Sequence, residues 1–187
     1  MIELKRKTKE TDIVVGIDID GKGNFDIDTG IGFFDHMLSA LSKHSGIDLM
    51  VKAKGDLEVD FHHTVEDVGI VLGQAIKKSL EGRGFARFGW AIIPMDDALV
   101  LSSIDICNRF YLNFDVGLRG NIGNFDSELI EEFFRAFAFN GGMVLHIKQL
   151  SGMNKHHIAE AVFKSVAHSL KAAIRRTDQT PSTKGTL

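Results

Sequence analysis

Two short runs of this sequence carry the same arrangement of metal-ligating residue types: His62-His63-Thr64-Val65-Glu66 and His156-His157-Ile158-Ala159-Glu160. The chain holds eight histidines in 187 residues, a composition that yields about 0.02 such arrangements by chance. One histidine pair at a helix start is ordinary solvated surface; two in register point to metal chemistry. On a helix, His62 and Glu66 stand four residues apart on one face and can share an ion, as can His156 and Glu160. The adjacent His63 and His157 point about 100° away, so each pair is expected to serve two different ions. His36, in Phe34-Asp35-His36-Met37, and His146, in Val144-Leu145-His146-Ile147, bring the set to six imidazoles and two carboxylates. That supplies two ions with three His and one Glu each, leaving positions open for substrate. Imidazole and carboxylate without thiolate suit Mn, Fe, Co or Zn. His44 and His168 match nothing in this pattern and read as surface or capping residues.

Other polar signals are weaker. Arg87, Arg109 and Lys184 are candidate anion ligands, Lys184 lying in a donor-rich Ser182-Thr183-Lys184-Gly185 tail. Solvated surface charge explains any one of them alone. Asp96-Asp97 reads equally as a ligand pair or as a turn between strands. No G-x-S-x-G elbow is present, nor a Walker or Rossmann glycine loop.

The elements that must position these residues show in the hydrophobic period. Ile13, Val15, Ile17 and Ile19 alternate as a strand, Asp20 to Gly23 is turn chemistry, and 24–29 alternates again, which predicts an opening hairpin. Phe34, Met37, Leu38 and Leu41 define a helix ending near Gly46. Strand alternation returns at 47–53 and again at Leu57, Val59 and Phe61. A long amphipathic helix covers 62–81. Residues 88–116 read as strands, 127–139 as a helix, 143–149 as a strand and 155–176 as a helix. Sliding the sequence by 94 residues lays the second His-His-x-x-Glu on the first, and brings Met143 to Leu145 onto Leu49 to Val51 and Leu170 onto Ile76. The expected fold is therefore α+β. One domain over 1–187 is made of two repeats, about 1–92 and 93–187, each a mostly antiparallel sheet with helices packed on one face.

The chain is 44% hydrophobic and 25% charged, an ordinary globular balance. Its net charge of −3 gives no electrostatic case for a nucleic-acid partner. Uncharged runs such as 98–104 fall far short of the roughly 20 residues of a membrane span. The basic N-terminus lacks the apolar stretch of a secretory signal. A single cysteine, Cys107, fits a reducing cytoplasm.

Lys9-Glu10-Thr11, Gly30 through Leu38, His62 through Gly69, Pro94 through Ala98, Asn154 through Ala161 and Pro181 through Gly185 follow one another from about residue 3 to the C-terminus. Together they resemble the imidazoleglycerol-phosphate dehydratase family. The resemblance implies loss of water from imidazole glycerol phosphate to give imidazole acetol phosphate, in histidine biosynthesis. It implies two manganese ions (Mn2+) per active site, held by His36, His62, His63, Glu66, His146, His156, His157 and Glu160. It also implies a homo-oligomer of 24 subunits with sites between chains. Both ring nitrogens of the substrate would be metal-bound, and the resulting imidazolate would push out the side-chain hydroxyl. By the same resemblance Glu10 binds substrate and is the acid/base group, with a metal-bound water as its rival. Arg87, Arg109, Lys164, Ser182, Thr183 and Lys184 would hold the phosphate. The competing readings are a dinuclear metallohydrolase and a non-catalytic metal-binding assembly; a ligand set three-quarters histidine disfavours the first.

Overall fold

The computed structural model describes residues 1–183. The first half runs β1 (Ile2–Lys7), β2 (Thr11–Asp18), β3 (Phe25–Asp28), α1 (Gly32–Ser45), β4 (Asp48–Gly55) and α2 (His62–Ser79). The second runs β5 (Phe88–Met95), β6 (Ala98–Ile106), β7 (Tyr111–Asp115), β8 (Asn121–Ile122), β9 (Phe125–Asp126), α3 (Glu128–Gly141), β10 (Met143–Ser151) and α4 (Lys155–Ile174). Apart from the β8–β9 ribbon, the two halves repeat one order. Their sheets match too, as β1-β2-β4-β3 and β5-β6-β10-β7, each antiparallel except for the last, parallel pair. This is a duplicated α+β unit.

Alternation decides which sheet face is covered. Ile13, Val15 and Ile17 on β2 and Val100 and Ile104 on β6 are buried against helices, while the opposite faces stay partly open. The halves meet helix to helix, α1 on α4 and α2 on α3. The largest buried side chains gather at that junction: Phe34 from α1, Phe133 and Phe137 from α3, Phe163 from α4 and Phe125 from β9. Phe133 meets Phe34 edge-on at 5.3 Å and stacks on Phe163 at 5.5 Å between centroids, geometries that add to area burial. α2 approaches α3 closely because Gly69 and Gly73 face it; a Cβ on Gly69 would lie 2.7 Å from the Phe133 carbonyl oxygen.

Two expectations need correction. The opening hairpin is β1–β2, not β2–β3. β4 lies between β2 and β3, and β3 pairs with it in parallel, Phe25 opposite Leu49. The Asp48 carboxylate explains this: its Oδ1 accepts the N–H of Lys22 and of Asn24, both at 2.8 Å, fastening the turn to the start of β4. β1 is hard to read because its alternating charges Glu3, Lys5 and Lys7 mark an exposed edge strand. The alternation at 57–61 is not a strand either. Those residues turn into α2, the Val59 N–H meeting the Asp56 carbonyl at 2.8 Å, with Val59 itself exposed.

Candidate metal centre

Both His-His pairs stand in the first turn of a helix. Asn154 caps α4, its side-chain oxygen accepting the N–H of His156 at 2.9 Å and of His157 at 3.3 Å. At α2 the Asp60 carboxylate accepts the His62 N–H at 2.7 Å. A histidine ring must be neutral to ligate a metal.

α1 and α4 together build a tripod. His36 from α1 brings its Nε2 to 3.4 Å from Glu160 Oε2, and His156 Nε2 lies 3.3 Å from the same oxygen. The three donor atoms all fall within 4.8 Å of one another, the one such group among the described residues. Phe33 packs edge-on against the His156 ring at 5.6 Å and so fixes its plane. Glu160 is buried, and burial pushes its carboxyl up. The Lys164 ammonium, 2.7 Å from Oε1, outweighs that together with His36, and the net shift is downward. Glu160 is thus an ionised carboxylate with one oxygen neutralised and the other facing two imidazoles. Two imidazoles and a carboxylate fit a divalent first-row cation, with positions left over.

The first-half set is looser. His62 Nε2 lies 3.7 Å from Glu66 Oε2, as four-residue spacing requires. The His63 ring stands at 86° to that of His62, so the two pairs do diverge. His63 Nδ1 meets Asp56 at 3.0 Å, and Glu10 Oε2 is 3.8 Å away. Asp56 is the main reason the ring holds a proton more tightly than usual. Glu10 reaches this place because the Thr8 hydroxyl accepts its N–H at 3.1 Å, while Arg6 and the Thr11 hydroxyl both bind the buried Asp67 of α2.

His157 is turned out of the tripod, its ring at 88° to that of His156. It meets Asp97 Oδ1 at 2.7 Å through Nδ1 and Asp96 Oδ2 at 3.3 Å through Nε2. Asp96-Asp97 is the turn between β5 and β6, with Asp96 in a left-handed conformation at φ 48°. Sequence reasoning left that pair open and did not single out Asp56; spacing gives no sign that an aspartate will meet a histidine ring.

His146 stands apart, exposed on the outer face of the second sheet beside Tyr111, whose ring is 5.4 Å away. It pairs with Ser103 on β6, and Ser103 with Trp90 on β5. Asp105, two residues along that face, gathers the arginines: Arg87 Nε at 2.7 Å and the exposed Arg109 at 3.7 Å. Arg87 also donates to the Pro181 carbonyl at 2.8 Å and so anchors the tail that carries Ser182 and Thr183. Lys184 lies outside the described residues.

Comparison with known proteins follows this geometry. The family model for imidazoleglycerol-phosphate dehydratase matches residues 29–170. Proteins of that name from Caldanaerobacter subterraneus subsp. tengcongensis and Dinoroseobacter shibae are 57% and 55% identical, covering 99% and 98% of this chain and 98% and 97% of their own. Solved structures from Pyrococcus furiosus and Staphylococcus aureus superpose with TM-scores of 0.88 and 0.84 at 44% and 37% identity, covering 98% and 95% of this chain and all of theirs. The chain belongs to the imidazoleglycerol-phosphate dehydratase family.

Proposed function

We propose that this protein is a hydro-lyase converting imidazole glycerol phosphate to imidazole acetol phosphate and water in histidine biosynthesis. The observation that carries the reading is the tripod of His36, His156 and Glu160, built from both halves of a chain that belongs to this family. Two manganese ions per site, when bound, would supply Lewis acidity to the substrate ring. His36, His156 and Glu160 would hold one, and His62, His63, Glu66, His146 and His157 would supply the remaining ligands, the two rings of each adjacent pair serving different ions.

The chain's own groups do the rest. Glu10 Oε2, exposed beside His63, takes the proton from the carbon that must lose it, and the protonated carboxyl returns it to the departing hydroxyl, which leaves as water and restores the carboxylate. The enol so formed becomes the ketone without further help. Arg109, less tightly paired than Arg87, grips the phosphate, with Lys164, Ser182, Thr183 and Lys184 as further donors. Arg87 adds charge and holds the tail in place.

One chain cannot bring these groups onto one substrate. The Asp96-Asp97 turn and Arg87 lie at opposite ends of β5, an eight-residue strand about 23 Å long. His146 faces away from the helices altogether. Neighbouring copies therefore complete each site, in a homo-oligomer for which 24 subunits is the proposed count. The outer face of the second sheet, where Phe88, Trp90 and Ile92 stand 55%, 71% and 45% exposed around His146, is the apolar surface such a copy would cover. No described helix is long and apolar enough to cross a membrane. We place the protein in the cytoplasm, with neither membrane nor nucleic acid as partner, and read it as one domain of two repeats. Those repeats are about 1–92 and 93–187. The deciding experiment incubates purified protein with imidazole glycerol phosphate and Mn2+: imidazole acetol phosphate supports the reading. Released phosphate would mean a hydrolase, and no product a storage role.

A further inference from the structure

We infer that Asp97 is a positioning residue that fixes the tautomer of His157, keeping the ring hydrogen on Nδ1 so that Nε2 presents a lone pair to a divalent cation. The inference rests on the metal-centre reading above. Asp97 is tied at three points: Oδ2 accepts the N–H of Met153 at 2.6 Å and of Asn154 at 3.1 Å, and Oδ1 meets His157 Nδ1 at 2.7 Å. An ionised carboxylate only accepts, so Nδ1 must be the donor, and in a neutral ring Nε2 is then bare. The same bonds clamp the β5–β6 turn to the entry of α4, so the ring is oriented by backbone and not by a swinging side chain. Asp96, 69% exposed at its side chain, approaches the opposite nitrogen with no such tie among the described residues.

The first half provides an internal contrast. Asp56 places its two oxygens 3.0 and 3.2 Å from His63 Nδ1, but among the described residues no backbone N–H holds either one. It is not the positional repeat of Asp97: the residue 94 places after Asp56 is Leu150. The halves thus reach one carboxylate–imidazole contact from different elements, and only the second is locked.

That difference makes an asymmetric test. An amide at position 97 that keeps both backbone N–H bonds must spend its carbonyl oxygen on them and turn its NH2 toward His157. The ring then accepts at Nδ1 and carries its hydrogen on Nε2, where it blocks a cation. An amide at position 56 is free to rotate and offer its oxygen, leaving the His63 tautomer as it was. Asp97→Asn is therefore expected to weaken Mn2+ binding at one ion per chain by about 10–100-fold, with little change in melting temperature. Asp56→Asn should fall below that range. Metal-free 15N NMR of the histidine rings, taken about two pH units above the ordinary imidazole value, reads the tautomer directly. Wild type should show Nδ1–H at His157, and Asp97→Asn should show Nε2–H. An unchanged tautomer in Asp97→Asn, or full Mn2+ affinity with only lowered stability, overturns the inference. Wild type that shows the Nδ1–H tautomer yet binds no Mn2+ overturns the metal-centre reading and, with it, the purpose assigned to Asp97.

Discussion

Glu10 sits where a proton can be moved but where nothing in the fold requires a carboxylate. Its side chain is 56% exposed and packs no core; the threonines and Asp67 hold its backbone. Glu10→Gln should leave melting temperature and Mn2+ content unchanged while turnover falls by about 10²–10⁴-fold, the usual worth of a general acid or base. Single-turnover product formation checks it, and near-normal turnover would move the proton to a metal-bound water. At this scale the histidines and glutamates were legible, because two copies of one spacing leave little room for accident. Asp56 and Asp105 were not, and Asp97 showed only in a pair that read equally as ligands or as a turn. Asp97 meets His157 across 60 residues of sequence, and aspartates in turns are too common for any local pattern to mark that one.

Most elements were legible from period alone, since α1, α2, α3 and α4 each keep one apolar face over at least three turns. The hairpin expectation failed because period says which residues alternate and not which neighbour they pair with; the Asp48 fastening is a tertiary fact. Helix packing gives two expectations. Gly73→Ala puts a methyl into the α3 backbone at Phe137. Overpacking costs about 1–3 kcal/mol, which the gain in helix propensity of up to about 1 kcal/mol only partly offsets, and thermal unfolding should show the loss. Across α1–α4, the His44 and His168 rings lie 5.5 Å apart. Burial first, then Lys171 near both and Lys164 near His44, make them hold protons less tightly than the ordinary 6.5. The unfolded chain therefore binds more protons there, so stability is intact above about pH 6.5 and falls as pH drops below it. His63 is shifted the other way, chiefly by Asp56, and its contribution is present below 6.5 and lost as pH rises through its folded value. Metal-free protein should thus be most stable near pH 6.5 in denaturant titrations. His44→Gln/His168→Gln should flatten the acid side above the carboxylate range and leave the alkaline side alone.

For the whole molecule, the duplication explains why one chain carries two His-His-x-x-Glu sets, which the proposed function has neighbouring copies complete. Each half begins its last helix with the His-His pair. His36 of α1 reaches the other half's helix because the halves meet α1 on α4, whereas the equivalent position on α3, whose 14 residues begin at Glu128 as those of α1 begin at Gly32, is Glu132, so α2 gains no matching histidine. In the proposed assembly, the ligand shortfall at α2 and the exposed His146 on the outer sheet face are two sides of one arrangement, a neighbouring copy bringing its His146 to the site. If so, ion binding is shared between chains, and its free energy contributes to association as well as to each chain's fold. Removing metal should drop the particle to a smaller oligomer, and re-adding Mn2+ should restore it. Light scattering before and after chelation measures this, and His146→Ala should behave like the chelated protein even with Mn2+ in excess. The helical junction with its phenylalanine cluster lies within a single chain, so circular dichroism should show the smaller species still folded. An unchanged mass after complete metal removal would mean that each ion is held within one chain, and the separation of His146 from the tripod would then need another cause.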